Sequence, residues 1–117
     1  MMSSDLTDLV AAIRKFAHDR DWEQFNSPKN LACSLAIESA EVLEHFQWLT
    51  DEQSRELPAA KVEAVALEAA DVFLYLLNLT DKLGIDLVAA ARQKLLINAG
   101  KYPVELARGT SKKYTEL

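Results

Sequence analysis

Residues 58–84, PAAKVEAVALEAADVFLYLLNLTDKLG, decide the fold. Val62, Val65, Ala66, Leu67, Ala69, Ala70, Val72, Phe73, Leu74, Leu76, Leu77 and Leu79 would cover most of the circumference of a helix. No Gly or Pro interrupts the run between Pro58 and Gly84, and Pro at the start with Gly past the end is the usual asymmetry of helix termini. The pattern predicts a helix from about Pro58 to Leu83. A helix apolar all round is one covered all round, and four helices of a 117-residue chain cannot easily enclose one of their number. A second copy is the simplest cover, so the reading predicts a homo-oligomer with this helix at the interface. A monomer with the helix at its centre is the alternative.

Three more helices flank this one. Leu6, Leu9, Val10, Ile13, Phe16 and Ala17 recur at i, i+3, i+4, i+7 and predict an amphipathic helix from about Asp5 to Arg20, with Ser4 as its N-cap. Asp21 to Asn26 connects it to a second helix that Ser27 caps and Pro28 opens, running to about Trp48. Thr50 to Leu57 is polar and reads as a loop holding one helical turn capped by Thr50. The last helix starts after Asp86 and ends near Ala99, with Gly100 as its stop and Pro103 confirming the break. From Val104 the tail is polar and basic. With no period-2 strand and no repeat, the class is all-α: a four-helix bundle subunit, one domain over residues 1–117, with 104–117 as its tail.

Composition agrees. Hydrophobic residues at 50% and charged residues at 26% describe a globular chain, and 3 Gly with 3 Pro leave too few turns for an all-β fold. The single cysteine, Cys33, excludes an internal disulfide and a Cys-based zinc site, and its apolar neighbours predict a buried side chain. The start MMSSDLTDLV has no basic region before an apolar run, and no uncharged stretch is long enough to span a bilayer, so the expectation is a soluble cytoplasmic protein. Residues 1–91 hold 7 Lys and Arg against 16 Asp and Glu, whereas residues 92–117 hold 6 against 2. An acidic body makes duplex nucleic acid an unsuitable partner. An acidic centre beside a basic end suits a metal ion with a phosphorylated ligand; a merely solvated basic tail is the plainer reading.

Glu68 and Asp71 sit inside the apolar helix, three residues apart and so on one face. Two like charges buried together are costly unless something positive lies between them. The second helix carries the matching pair Glu38 and Glu41, again three apart. If the two helices pack antiparallel, four carboxylates converge. Oxygen donors without Cys or His suit a hard cation such as Mg²⁺. A di-iron bundle would want Glu-x-x-His; the residues three before His18 and His45 are Lys15 and Val42, so that chemistry is set aside. Solvated surface pairs are the bland alternative, since one E-x-x-E is common in helices. The surrounding faces are polar too: Asn30, Ser34, Glu38, Glu41, His45 and Trp48; then Glu68, Asp71, Tyr75, Asn78 and Lys82; then Lys94, Asn98 and Lys101.

Glu38-x-x-Glu41, 26 intervening residues, and Glu68-x-x-Asp71 resemble the E-x-x-E…E-x-x-D signature of the MazG-like all-α nucleoside triphosphate pyrophosphatases. The flanks Asp21-Trp22-Glu23-Gln24-Phe25, Phe46-Gln47-Trp48, Lys101-Tyr102-Pro103 and Lys113-Tyr114-Thr115-Glu116-Leu117 resemble the dCTP pyrophosphatase branch, over nearly the whole chain. The resemblance implies Mg²⁺-dependent cleavage, with Mn²⁺ as a substitute, of a nucleoside triphosphate to the monophosphate and pyrophosphate. It implies that Glu38, Glu41, Glu68 and Asp71 hold the metal, and that Lys94, Asn98, Lys101 and Tyr102 bind phosphate. It also implies that Trp22, Trp48 and Tyr75 build the base pocket, and that the assembly is a homotetramer. Two positions depart: animal members carry His where Ile13 and Asn26 stand, which bears on the choice of base.

The chemistry of such a site follows from general rules. Metals bridge carboxylates to phosphate oxygens and activate water. Glu41 is the candidate base, with Glu38 beside it. Trp22 and Trp48 offer flat faces to a pyrimidine, ordinary packing being the alternative. Substrates other than dCTP, dUTP among them, keep the fold and change the base. A non-catalytic helical adaptor is the rival from another class, but it has no need of four inward carboxylates.

Overall fold

The computed structural model describes residues 4–117, and every element among them is helical. Two compact units are distinguished, residues 4–85 and residues 86–117. The first contains α1 (Ser4–Asp19), α2 (Pro28–Glu44), the single turn α3 (Asp51–Ser54) and α4 (Ala59–Lys82), with a 3₁₀ turn at Glu23–Phe25. The second contains α5 (Leu87–Lys101), the short α6 (Val104–Ala107) and a 3₁₀ turn at Tyr114–Glu116. No helix among the described residues is long and apolar enough to cross a membrane.

In the first unit, α1 and α2 both pack against α4. Its core is small: Val10 and Ala17 from α1, Leu31 from α2, and Leu77 with Thr80 from α4. The Thr80 hydroxyl is satisfied within its own helix, donating to the carbonyls of Leu76 and Leu77. On the single chain α4 is not enclosed. Val62, Leu67 and Phe73 are exposed, Leu67 to 69%.

Helix termini account for most of the chain's course. Ser4, read above as an N-cap, lies within the helix, and the start of α1 is outside the described residues. At the other end of α1 the chain reverses through Asp21, which holds φ at +53°. The Asp21 N–H donates to the His18 carbonyl and the Trp22 N–H to the Ala17 carbonyl. These two bonds form a Schellman motif with Asp in the place usually taken by Gly. Gly84 closes α4 in the same way at φ +66°, its N–H donating to Asp81 and that of Ile85 to Thr80.

Helix α2 starts as the sequence predicts, with the Ser27 side chain accepting from the Asn30 N–H. It ends earlier than predicted, at Glu44, with His45 as its C-cap. The cause lies downstream. Thr50 must be extended, at ψ 163°, to form a reciprocal capping box with Gln53. The preceding residues tighten to i→i−3 bonds, Phe46 to Leu43 and Leu49 to Phe46, and leave the helix. Trp48 therefore does not lie on the α2 face that carries Glu38 and Glu41, and its side chain is 88% exposed.

In the second unit Asp86 caps α5 by accepting from the Ala89 N–H. Gly100 does not stop this helix, which continues to Lys101. Pro103 ends it, because its ring excludes the α conformation at the residue before it; Tyr102 stands at φ −123°, ψ 68°. The tail is not merely solvated chain. Tyr114 packs edge-to-face on Tyr102, with centroids 6.2 Å apart, and the Lys101 ammonium lies 4.7 Å from its ring centre.

Candidate active site

Two of the acids the sequence singles out lie on α2 and two on α4, both in the first unit. Single carboxylate oxygens of Glu38, Glu41 and Glu68 come within 4.8 Å of one another, each residue being half-buried. Glu41 is the neighbour that most strongly perturbs both Glu38 and Glu68. His45, one turn beyond Glu41, acts on Glu68, and Asp71, one turn beyond Glu68, acts on Glu38. Charge effects that advance on α2 as they retreat on α4 agree with an antiparallel pair.

The acids pay for this proximity in protonation. Hydrogen bonding to Glu41, then desolvation, then the charges of Glu41, Asp71 and Glu68 push Glu38 up to about 7. Glu68 is raised by the Glu41 hydrogen bond, by desolvation and by the charges of Glu41 and Asp71, against the opposing pull of His45. Glu38 Oε2 is buried without a hydrogen-bond partner among the described residues. An orphaned carboxylate oxygen on a residue clustered with two further carboxylates calls for a cation, and the donor set fits one. Asp71 is not within the closest trio. It adds its charge to the trio and also lines the neighbouring cleft.

That cleft, of about 430 Å³, lies between α1, the connector and α4. Leu9, Ile13, Phe16 and Leu74 form its apolar walls, and Trp22, Asn26, Asp71, Tyr75 and Asn78 also line it. Trp22 reaches it because the Asp21 reversal carries the indole back along α1, where it packs edge-to-face on Phe16 with centroids 5.7 Å apart. Phe16 is itself held by the Arg20 guanidinium, 3.7 Å from its ring centre. The connector is tied to α2 by the Asn30 side-chain amide, which donates to the Phe25 carbonyl at 2.9 Å. At the far end of α1's contact with α4, Arg14 binds the Asp81 carboxylate through both Nε and a terminal nitrogen.

The structure thus brings together Glu38, Glu41 and Glu68, and sets Asp71, Trp22, Asn26 and Tyr75 around one cleft. Trp48 is absent from that cleft's lining, for the reason given by the early end of α2. Lys94, Asn98 and Lys101 lie along α5 and Tyr102 caps it, all in the second unit. Cys33, expected to be buried, is exposed. Of the α1 wall only Ile13 was legible, as a departure from the resembled family; Leu9 and Phe16 escaped because they have the same spacing as a core-facing stripe. Asn78 was visible only as a member of the polar stripe on α4.

The family model of the MazG-like family matches residues 33–117. The human protein named dCTP pyrophosphatase 1 is 42% identical over 114 residues, covering 96% of this chain and 67% of its own. The mouse protein of the same name is 39% identical over the same length. Among solved structures, a pyrophosphatase from Archaeoglobus fulgidus superimposes with a TM-score of 0.81 at 36% identity, covering 88% of this chain and 96% of the other.

Proposed function

The chain belongs to the MazG-like family, and from that premise we propose that it is a metal-dependent pyrophosphohydrolase of nucleoside triphosphates. We assign it dCTP or a modified dCTP as substrate, with the monophosphate and pyrophosphate as products. The observation that carries this reading is the convergence of Glu38, Glu41 and Glu68, with one buried unpartnered oxygen, beside the Asp71 end of an aromatic-walled cleft. Relatives named dCTP pyrophosphatase support the choice of substrate.

Glu38, Glu41, Glu68 and Asp71 are the proposed metal ligands, and an all-oxygen donor set favours Mg²⁺, with Mn²⁺ able to replace it. When bound, the ion supplies Lewis-acid polarisation of phosphate oxygens and a more acidic water. Glu41 accepts the proton of the attacking water, with Glu38 beside it in the same cluster. Trp22 and Tyr75 flank the base, and Asn26 meets its polar edge from the connector. Ile13, apolar where animal members carry His, leaves that reading to carboxamides. Lys94, Asn98 and Lys101 of α5, with Tyr102 at its C-cap, serve the outer phosphates, Lys94 and Lys101 as point charges. Trp48 is assigned to the base pocket of the assembled protein, because an indole 88% exposed on one chain is a surface that assembly would cover. The same argument applies to Leu67 on α4 and to Leu95 and Leu96 on α5, exposed to 69%, 69% and 76%, and supports a homo-oligomer, which the resemblance makes a homotetramer.

The test is product analysis with dCTP and Mg²⁺. Pyrophosphate and dCMP in equal amounts are expected. Orthophosphate as the first product would refute the reaction assignment, and no turnover of any nucleoside triphosphate would refute the enzyme.

A further inference from the structure

Along α4 the cleft is lined by Asp71, Leu74, Tyr75 and Asn78. At 1.5 Å per residue, Tyr75 stands about 6 Å and Asn78 about 10 Å beyond Asp71 along the helix axis. Asp71 borders the acid cluster, where a cation and the phosphates it attracts would sit. The polar edge of a base stacked beside Trp22 and Tyr75 would then lie at the Asn78 end. One turn further on, Asp81 is bound by Arg14 of α1. The two walls are therefore pinned together just past Asn78.

The half-buried Asn78 carboxamide makes no hydrogen bond among the described residues and faces a cleft whose other wall is Leu9, Ile13 and Phe16. A carboxamide that faces such a cleft with no protein partner is satisfied by water or by a ligand. Its oxygen accepts and its nitrogen donates, which complements an exocyclic amine beside a ring nitrogen acceptor, the 4-amino group and N3 of cytosine.

We propose that Asn78 is a specificity-determining residue, whose carboxamide accepts from the exocyclic amine of the base and donates to the adjacent ring nitrogen. This rests on the pyrophosphohydrolase reading above and adds to it the residue that reads the base.

The experiment compares dCTP with the deoxynucleoside triphosphate of 2-pyrimidinone, which lacks the 4-amino group, as substrates for pyrophosphate release. The full-length wild type, Asn78→Leu and Asn78→Ala are assayed, each checked for helicity. The wild type is expected to favour dCTP in kcat/KM by about 3- to 10-fold, the usual worth of one such hydrogen bond. Both variants should bring that ratio close to one. A ratio that persists in the variants overturns the assignment even if both substrates are turned over more slowly, because a structural role would affect them equally. Equal use of the two substrates by the wild type overturns it as well. A wild type that releases pyrophosphate from neither refutes the parent reading, and this one with it. If Asn78→Leu does not fold, Asn78→Ala decides.

Discussion

Replacing Trp22 by alanine separates packing from binding at the cleft. The side chain is 47% exposed, so a little over half of its surface is covered, mainly by the edge-to-face contact with Phe16. Taking a Trp surface of about 250 Å² and about 25 cal/mol per Å², the lost burial is worth about 3 kcal/mol, an upper value because unfolded chains are partly compact. Urea unfolding of Trp22→Ala should show that loss. The exposed half is the face offered to a base. One lost stacking face costs about 1–3 kcal/mol, which is about a 5- to 150-fold rise in KM for dCTP. kcat should change far less, because stacking acts on ground and transition states alike. Trp22→Phe keeps an aromatic face and should recover most of the KM. Steady-state pyrophosphate release, measured at concentrations of urea-free, folded protein, reads both constants. A KM within twofold of wild type in a destabilised Trp22→Ala protein would refute the reasoning and leave the indole as packing alone.

Glu41→Gln and Asp71→Asn should each abolish turnover while the protein stays folded, and Mg²⁺ should no longer raise the melting temperature of Glu41→Gln as it does that of the wild type; full activity in either variant removes that residue from the site. Asp81 is held below its ordinary 3.8 chiefly by its hydrogen bond to Arg14, against desolvation and with the help of the Arg14 and Lys82 charges. A lowered carboxylate adds stability above its unfolded pKa and loses it as pH falls through the folded value. Asp81→Asn should therefore melt below wild type near neutrality, and the gap should close only as pH drops below about 4; a gap independent of pH would mean the loss is not ionic. Light scattering should give a species well above 13.1 kDa, and a monomer at working concentration would refute the assembly. Trp48→Ala should raise the KM for dCTP by the same stacking range, and an unchanged KM would make that indole surface only.

The sequence alone determined what depends on neighbours within a turn or two. Helical class, the starts of α2 and α5, the single turn after Thr50 and the stop at Gly84 follow from caps, Pro, Gly and periodicity, all local terms. The two E-x-x-E/D pairs are legible for the same reason, since residues three apart share a face whatever the tertiary fold. Other features needed the fold. The end of α2 was overrun by four residues because its pattern continues to Trp48, while the capping box at Thr50 demands extended chain. Tertiary packing decided that Glu38, Glu41 and Glu68 meet at one point, and that Asp71 divides its influence between that point and the cleft. It also turned Leu9, Ile13 and Phe16 from an expected core stripe into a cleft wall. An amphipathic spacing states that a face avoids water without stating what covers it. The reversal at Asp21, in a conformation the residue type only tolerates, swings Trp22 over that wall, and no local rule predicts it.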